Sequence, residues 1–240
     1  MTERVVEYSE GETTMVGRIF EPAGDGPRPG VLVAHDWGGC NAFAHDAAKR
    51  LCGLGYVALA IDMYGGGQCF ESMKDRAANM GVLRGDRGML MRRINAALDT
   101  LKAQPTVDIT KTGAIGFCFG GLCVLDLARS GVEVGGVVSF HGLFDAPSAD
   151  LCKPIRAKVL ALHGYRDLLC PPAMLAAFEE EMHAADADYQ VHVYGRAMHA
   201  FANPKANSPA MGAMYDALTA HRAFRSMADF FSDLFEPPQV

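Results

Sequence analysis

The chain has 240 residues, of which 50% are hydrophobic and 21% are charged, and its formal net charge is −6. This length can bury one sizeable core, and we predict a single domain over residues 1–240. The negative charge and the lack of any lysine and arginine block argue against a nucleic-acid or anionic-membrane surface. No apolar run approaches the ~18 residues of a membrane span and the first residues lack a signal-peptide pattern, so we expect a cytoplasmic protein.

The first half of the chain is predicted to begin with a β-hairpin and then to alternate strands with helices. Residues 64–87 are the least regular part, and we predict a loop and a short helix there that would shape a binding pocket. The other predicted elements are strands over 4–8 and 13–20, a strand from Val31, a helix over 41–54 with Asn41 as N-cap, and a buried strand over 56–61.

The second half of the chain continues the same alternation. Helical apolar spacing over residues 88–102 predicts a helix that packs on the sheet. Further strands are predicted over 112–115, 157–162 and 189–194, and further helices over 122–129, 171–184 and 215–235. Strands that alternate with helices are typical of an α/β fold with a mostly parallel sheet.

Residues 116–121 read Gly-Phe-Cys-Phe-Gly-Gly and join an apolar run to a helix-favouring one. They match the G-x-nucleophile-x-G pattern of a nucleophile elbow, with Cys118 where serine usually stands. In such a turn the backbone is strained, and a Cβ at Gly116 or Gly120 would clash. The helix N-terminus would favour a thiolate. A pattern of this kind on its own more often marks a buried, inert cysteine. A catalytic interpretation therefore depends on whether an acid and a histidine accompany Cys118.

Two such partners follow Cys118 in the order that an elbow enzyme requires, acid and then histidine. Asp167 stands in the loop after the predicted strand 157–162, and His199 stands in the loop after 189–194. The carboxyl ends of parallel strands share one edge of a sheet, where active sites assemble. The order together with three strand-end positions therefore predicts a Cys-His-Asp site.

The chain resembles the dienelactone hydrolase family of the α/β-hydrolase superfamily. The resemblance implies an α/β-hydrolase fold, with a mostly parallel central sheet, helices on both faces and an N-terminal β-hairpin. It implies Cys118, Asp167 and His199 as the catalytic triad, and the backbone N–H groups of Trp37 and Phe119 as the oxyanion hole. The stretches that carry it are residues 30–39, 58–65, 116–121, 137–142, 163–167 and 199–201.

Asp36 stands where the resemblance places a glutamate beside the resting thiol. That glutamate is thought to accept the hydrogen bond of the thiol and to keep it protonated until substrate arrives. Asp36 is one methylene shorter, so the same control of the thiol would be weaker or would act through a water. A carboxylate that is solvated, or that binds a backbone N–H, is an equally good interpretation of this residue.

The resemblance also implies arginines for a substrate carboxylate, and here the sequence departs from it. One of them is expected shortly after the catalytic histidine, where this chain has Asn203. Lys205, Arg84 or Arg87 could supply a cation instead, but no motif fixes any of them. We therefore expect neutral short-chain esters or lactones to be substrates at least as good as dienelactone.

The other histidines and cysteines are expected to be structural. His35, His141 and His163 each end a strand and should brace loops through backbone hydrogen bonds. The seven cysteines include no C-x-x-C pair, and no histidine has zinc-ligand spacing. We expect the six besides Cys118 to be small buried hydrophobes, and we expect no metal or organic cofactor.

The favoured function is hydrolysis of a small-molecule ester or lactone through an acyl-enzyme on Cys118. A thiol-dependent acyltransferase or a thioesterase would use the same residues, and only the acyl acceptor or the leaving group would differ. A redox-sensing protein that uses Cys118 as a switch is less well supported. It has no need of Asp167 and His199, and its one candidate resolving cysteine, Cys123, would face away from Cys118.

Overall fold

The computed structural model of the protein describes residues 1–236, and these form a central sheet with helices around it. The strands of this sheet are β1 Thr2–Glu10, β2 Thr13–Glu21, β3 Arg28–Ala34, β4 Val57–Ile61, β5 Val107–Phe117, β6 Gly136–Phe140, β7 Lys158–Gly164 and β8 Tyr189–Tyr194. The helices are α1 Ala42–Gly53, α2 Met73–Gly85, α3 Arg87–Lys102, α4 Phe119–Arg129, α5 Pro172–Ala184 and α6 Ala217–Phe235. No helix within residues 1–236 is long and apolar enough to cross a membrane.

The strand order is β1-β2-β4-β3-β5-β6-β7-β8, and every neighbouring pair from β4 to β8 is parallel. The predicted N-terminal hairpin is confirmed, since β1 and β2 are antiparallel along their whole length and β2 then joins β4. The prediction of one domain stays a prediction, which this single central sheet supports.

Helices cover both faces of the sheet, as predicted. One core cluster holds side chains of α3, α4 and α5, and the other holds side chains of α1 and α6. Every residue of β4 and of β6 is buried. A parallel strand that is covered on both faces has apolar side chains in succession without alternation, which explains why these strands read as continuous apolar runs.

The irregular segment after β4 contains a longer helix than the sequence predicted. Helix α2 has 13 residues and begins after Ser72, whose hydroxyl accepts from the N–H of Asp75 at 3.0 Å. Leu83 is its one buried residue. A helix with so little buried surface lacks an apolar stripe, so periodicity could not detect it, and Ser72 with Asp75 was its one local signal.

A buried ion-pair network joins α3, α4 and α5. Both oxygens of Asp126 bind the guanidinium of Arg87, at 2.5 and 2.6 Å. Arg129 binds Asp126 at 3.2 Å and Glu181 at 2.7 Å. Removal of one partner from a buried pair of this kind typically costs about 3–5 kcal/mol, because the other charge is left unpaired. The network therefore fixes the helix that carries Cys118 at its N-terminus.

The cysteines besides Cys118 do not all lie in the core. Four of them are buried as predicted, but Cys69 is exposed and Cys152 is only partly buried, so the prediction was wrong for these two. Both stand in connecting segments outside the helices and long strands, where a small residue need not pack against the sheet.

Candidate active site

Cys118 lies at the turn between β5 and α4, with φ +55° and ψ −113°. This is a backbone conformation that residues with a side chain rarely adopt. The N–H of Cys118 donates to the carbonyl of Phe140 at 3.0 Å, and its carbonyl accepts from Leu122 at 3.2 Å. These bonds hold the turn between the ends of β5 and β6 and the start of α4, with the side chain directed into a cavity.

The glycines of the elbow are required by its close backbone contacts, as the sequence predicted. A Cβ on Gly116 would lie 1.9 Å from the carbonyl oxygen of Gly120. A Cβ on Gly120 would lie 2.2 Å from the carbonyl oxygen of Ala34, at the end of β3. No side chain fits at either position, so the sequence pattern follows from the packing of β3, β5 and α4.

The structure brings His199 and Asp167 together at the same edge of the sheet. The Nδ1 atom of His199 donates to Asp167 Oδ2 at 2.7 Å. The other oxygen of Asp167 accepts from the N–H groups of Leu169 and Cys170, at 2.8 and 3.2 Å. These three hydrogen bonds fix the position of the carboxylate, which in turn holds the imidazole in one orientation.

The charge of the imidazole depends on Cys118. Burial alone lowers the pKa of His199, but the negative charge of the Cys118 thiolate and the hydrogen bonds to Cys118 and Asp167 raise that pKa to about 10. Nε2 is buried, and within the described residues it has no well-aligned hydrogen-bond partner, which leaves it free to face the thiol or a substrate. The thiol and the carboxylate thus act on opposite sides of one ring, an arrangement that stabilises an imidazolium–thiolate pair.

A short two-stranded sheet, which the sequence did not predict, fixes the backbone at His199. Strands β9 Asn207–Ser208 and β10 Ala213–Met214 are antiparallel. The N–H of His199 donates to Gly212 at 2.8 Å, and its carbonyl accepts from Met214 at 3.0 Å. Strands of two residues give no periodic signal, so this support for the histidine loop could be found only in the structure.

The two residues expected to supply the oxyanion-hole N–H groups are Phe119, which follows Cys118 directly in the chain, and Trp37. Phe119 is the first residue of α4, and an N–H at that position has no acceptor within its own helix. Trp37 lines the cavity together with Cys118. Within residues 1–236, no protein hydrogen bond uses the N–H of Trp37, whereas its carbonyl accepts from the Tyr64 hydroxyl at 3.0 Å.

Asp36 also lines the cavity, and both of its carboxylate oxygens bind neighbouring groups. Oδ1 accepts from the N–H of Gly38 at 2.8 Å, and Oδ2 accepts from the side-chain amide of Asn203 at 3.1 Å. Asn203 therefore binds the carboxylate of Asp36 from the place where a substrate-binding arginine was expected. The bond to Gly38 agrees with the structural interpretation of Asp36, which the sequence left open.

The cations near the cavity are not equally available to a ligand. Arg87 is unavailable because Asp126 binds it, and Arg84 is paired with Asp145 at 3.2 Å. Lys205 lines the cavity, and so does Arg76, which the sequence analysis missed. The Arg76 Nε atom donates to the Phe70 carbonyl at 2.7 Å, and its guanidinium lies 5.8 Å from the centre of the Trp37 ring. Arg76 stands on α2, the helix that is longer than the sequence predicted, and it has no ion-pair partner within residues 1–236.

The cavity has a volume of about 430 Å³ and opens over Cys118 and His199. Its wall is mainly apolar and includes several flexible methionine side chains, which adapt to ligands of different shape. The larger apolar wall residues are Trp37, Met73, Met80, Leu143, Leu169, Met174 and Met211. A cavity of this kind suits a small, largely apolar substrate with its reacting group at the thiol.

The other three strand-end histidines differ in what they bind. His35 braces its loop as predicted, since its ring nitrogens bind the carbonyl of Asp36 and the N–H of Met63. The prediction was wrong for His141 and His163, because neither ring nitrogen of either residue has a well-aligned hydrogen-bond partner within the described residues. Burial lowers the pKa of both, so they are neutral and pack against aromatic rings.

Comparison with known proteins places the chain in a family. Residues 15–235 match the family model described as the dienelactone hydrolase family. The chain belongs to the dienelactone hydrolase family. The protein is accordingly an enzyme of the ester- and lactone-hydrolysing class. A Bradyrhizobium protein described as a probable 2-oxo-3-(5-oxofuran-2-ylidene)propanoate lactonase is 29% identical over 206 residues, which are 82% of each chain.

Two solved structures are similar over nearly the whole chain. A dienelactone hydrolase-like promiscuous phosphotriesterase from metagenomic libraries has 39% sequence identity and a TM-score of 0.93, and the match covers 97% of this chain and 98% of that one. A structure named m3DLH has 38% identity, the same TM-score and the same coverage. The predicted α/β-hydrolase fold is thereby confirmed.

We expect the His199 imidazolium to keep its proton up to about pH 10 and to titrate at lower pH in Cys118→Ala, which lacks the thiolate charge. Ring nitrogen shifts of His199 in NMR spectra would measure both titrations. The unfolded histidine titrates near 6.5, so the contribution of His199 to stability is full below pH 6.5 and is lost as the pH rises through 10. His45, which lies on α1 and does not line the cavity, is the control, and equal titration of His199 in both proteins would contradict this coupling.

Proposed function

We propose that the protein hydrolyses carboxylic esters or lactones with Cys118 as nucleophile, His199 as general base and acid, and Asp167 as the carboxylate that orients His199. The observation that carries this proposal is the 2.7 Å hydrogen bond from His199 to Asp167. Cys118 stabilises the positive charge of the same imidazole ring. The position of the thiol on a strained elbow, at the N-terminus of α4, supports the same role.

The first half of the proposed reaction transfers the acyl group to the thiol. The Cys118 thiolate attacks the ester carbonyl carbon, and the carbonyl electron pair moves to the oxygen. The N–H groups of Trp37 and Phe119 bind this oxyanion, and such a donor typically contributes about 3 kcal/mol to the transition state. When the C–O bond to the leaving group breaks, the His199 imidazolium gives its proton to the departing alkoxide, and a thioester remains on Cys118.

The second half of the reaction returns the free enzyme. His199, now neutral, takes a proton from water as the water attacks the thioester carbonyl. Collapse of the second oxyanion breaks the C–S bond, releases the carboxylic acid and restores the imidazolium–thiolate pair. Asp167 keeps the imidazole in the required tautomer throughout and stabilises its charged form.

Control of the resting thiol by Asp36 remains part of the proposal. The carboxylate of Asp36 lies in the same cavity as Cys118, where its negative charge opposes a thiolate. Within residues 1–236 no direct hydrogen bond joins the thiol to Asp36, whose oxygens bind Gly38 and Asn203, so any such control would act through charge or through a water.

A second activity, on phosphotriesters, is supported by one relative. The solved structure with 39% identity is that of a dienelactone hydrolase-like promiscuous phosphotriesterase. A thiolate with oxyanion donors can attack phosphorus as well as carbon, with the phosphoryl oxygen in place of the carbonyl oxygen. Activity assays should therefore include an aryl phosphotriester. An alcohol acceptor in the same assays would reveal acyl transfer, and a thioester substrate would reveal thioesterase activity.

We also propose a cytoplasmic location and a small-molecule substrate, with no nucleic-acid partner. Seven free cysteines support the location, since cysteines of secreted proteins are commonly joined in disulfides. The net charge of −6 and the apolar cavity support the choice of partner.

Cys118→Ala or His199→Ala should lower kcat for a p-nitrophenyl ester by about 10³-fold or more, because either change removes a group that forms or breaks bonds. Asp167→Asn should cost less, since it removes only orientation and charge stabilisation. Steady-state kinetics with circular dichroism spectra would measure activity and fold together. Turnover of Cys118→Ala near that of the wild type would show that another residue is the nucleophile.

Arg76→Leu should lower kcat/KM for a carboxylate-bearing lactone, relative to its methyl ester, by about 10- to 100-fold. A charge-assisted hydrogen bond to a carboxylate is worth roughly 1.5–3 kcal/mol, and Arg76 has no carboxylate partner in the described chain. Arg84→Leu is the matched comparison and should change this ratio little, because Asp145 already neutralises Arg84. An unchanged ratio in Arg76→Leu would leave Lys205 as the cation for the carboxylate.

A further inference from the structure

His35 lies directly behind the loop that carries Trp37. Its ring is completely buried, between the end of β3 and the segment that follows β4. Nδ1 is within hydrogen-bond distance of the Asp36 carbonyl oxygen, and Nε2 lies 3.2 Å from the backbone nitrogen of Met63. A backbone N–H can only donate, so Nε2 accepts and the proton must be on Nδ1, from which it is donated to Asp36.

The carbonyl of Asp36 and the N–H of Trp37 belong to one peptide group. A trans peptide is planar, and its C=O and N–H point in opposite directions. A donor fixed behind the carbonyl therefore also fixes the direction of the N–H on the far side, where Trp37 lines the cavity. A hydrogen bond accepted by the carbonyl also polarises the peptide and makes its N–H a stronger donor.

Tyr64 also holds the loop that carries Trp37. Its hydroxyl donates to the carbonyl of Trp37 at 3.0 Å, which holds the next peptide group of the loop. Its ring contacts His35 with a centroid distance of 4.8 Å and stacks on Phe119 at 5.8 Å with an interplanar angle of 12°. Tyr64 thus touches both residues whose N–H groups form the proposed oxyanion hole.

We propose that His35 and Tyr64 are positioning residues that set the direction of the Trp37 N–H toward the substrate oxyanion. This inference rests on the proposed function, because it concerns the oxyanion of that reaction. Neither residue touches the reacting atoms, and both act through the peptide groups on either side of Trp37. His35 works in its neutral form, and burial favours that form by lowering its pKa.

The test compares His35→Asn with His35→Gln. The amide of asparagine reaches the place of Nδ1 and can donate to Asp36, whereas that of glutamine reaches the place of Nε2 and cannot. We expect His35→Gln to lower kcat for a p-nitrophenyl ester by about 10²-fold at nearly constant KM, which is the effect of losing one oxyanion donor. We expect His35→Asn to restore kcat to within about tenfold of the wild type.

Alkylation of Cys118 by iodoacetamide is the second measurement, because this substitution forms a C–S bond and expels iodide without forming an oxyanion. Its rate should stay within about twofold of the wild type in both variants, if only oxyanion binding is impaired. His192→Gln is the matched control, since His192 is half-buried, binds Ser226 at 3.1 Å and lies on β8. This control should keep the wild-type kcat.

Equal losses of kcat in the asparagine and glutamine variants, or a parallel loss of alkylation, would overturn the proposal. If His35→Gln fails to fold, Tyr64→Phe decides, because it removes one hydroxyl and keeps the stacked ring. Its kcat should fall by about tenfold with unchanged alkylation, and a wild-type kcat would reject the proposal. Active Cys118→Ala would instead refute the nucleophile itself, so the two failures can be told apart.

Discussion

The backbone at Cys118 adopts φ +55° because three chain segments meet there with no space between them. Gly116 and Gly120 touch across the turn, and Gly120 also touches the end of β3. This close packing lifts the thiol out of the sheet and places it at the N-terminus of α4. Every other part of the site depends on the position of the thiol, because the histidine, the carboxylate and the oxyanion donors can act only if they are correctly placed relative to it.

The surrounding structure resists relaxation of that strained turn. At the far end of α4, Asp126 binds Arg87 of α3 and Arg129 binds Glu181 of α5, so the buried network ties the helix to both neighbours. At its near end, the ring of Phe119 stacks on Tyr64. The helix that carries the nucleophile is therefore fixed at both ends, which agrees with the general need for a rigid frame around a catalytic group.

The sequence predicted the sheet, the hairpin and the positions of Cys118, Asp167 and His199, because each depends on a local pattern. Apolar strand runs and the glycines of the elbow are consequences of packing that leave a direct trace in the residues. The pairing of Asn203 with Asp36 leaves no such trace, since the two residues are far apart in the chain. The same holds for the cavity position of Arg76, which depends on α2, a helix with almost no buried face.

The central claim is that the acyl group of the substrate passes through a thioester on Cys118. The direct measurement is mass spectrometry of the enzyme quenched in acid during turnover of p-nitrophenyl acetate, followed by peptide mapping. Our account predicts an acetyl group on the peptide that contains Cys118, removed by neutral hydroxylamine as a thioester is. An acetyl group on another residue would contradict the account. A burst of product release during which no acylated enzyme is found would contradict it as well.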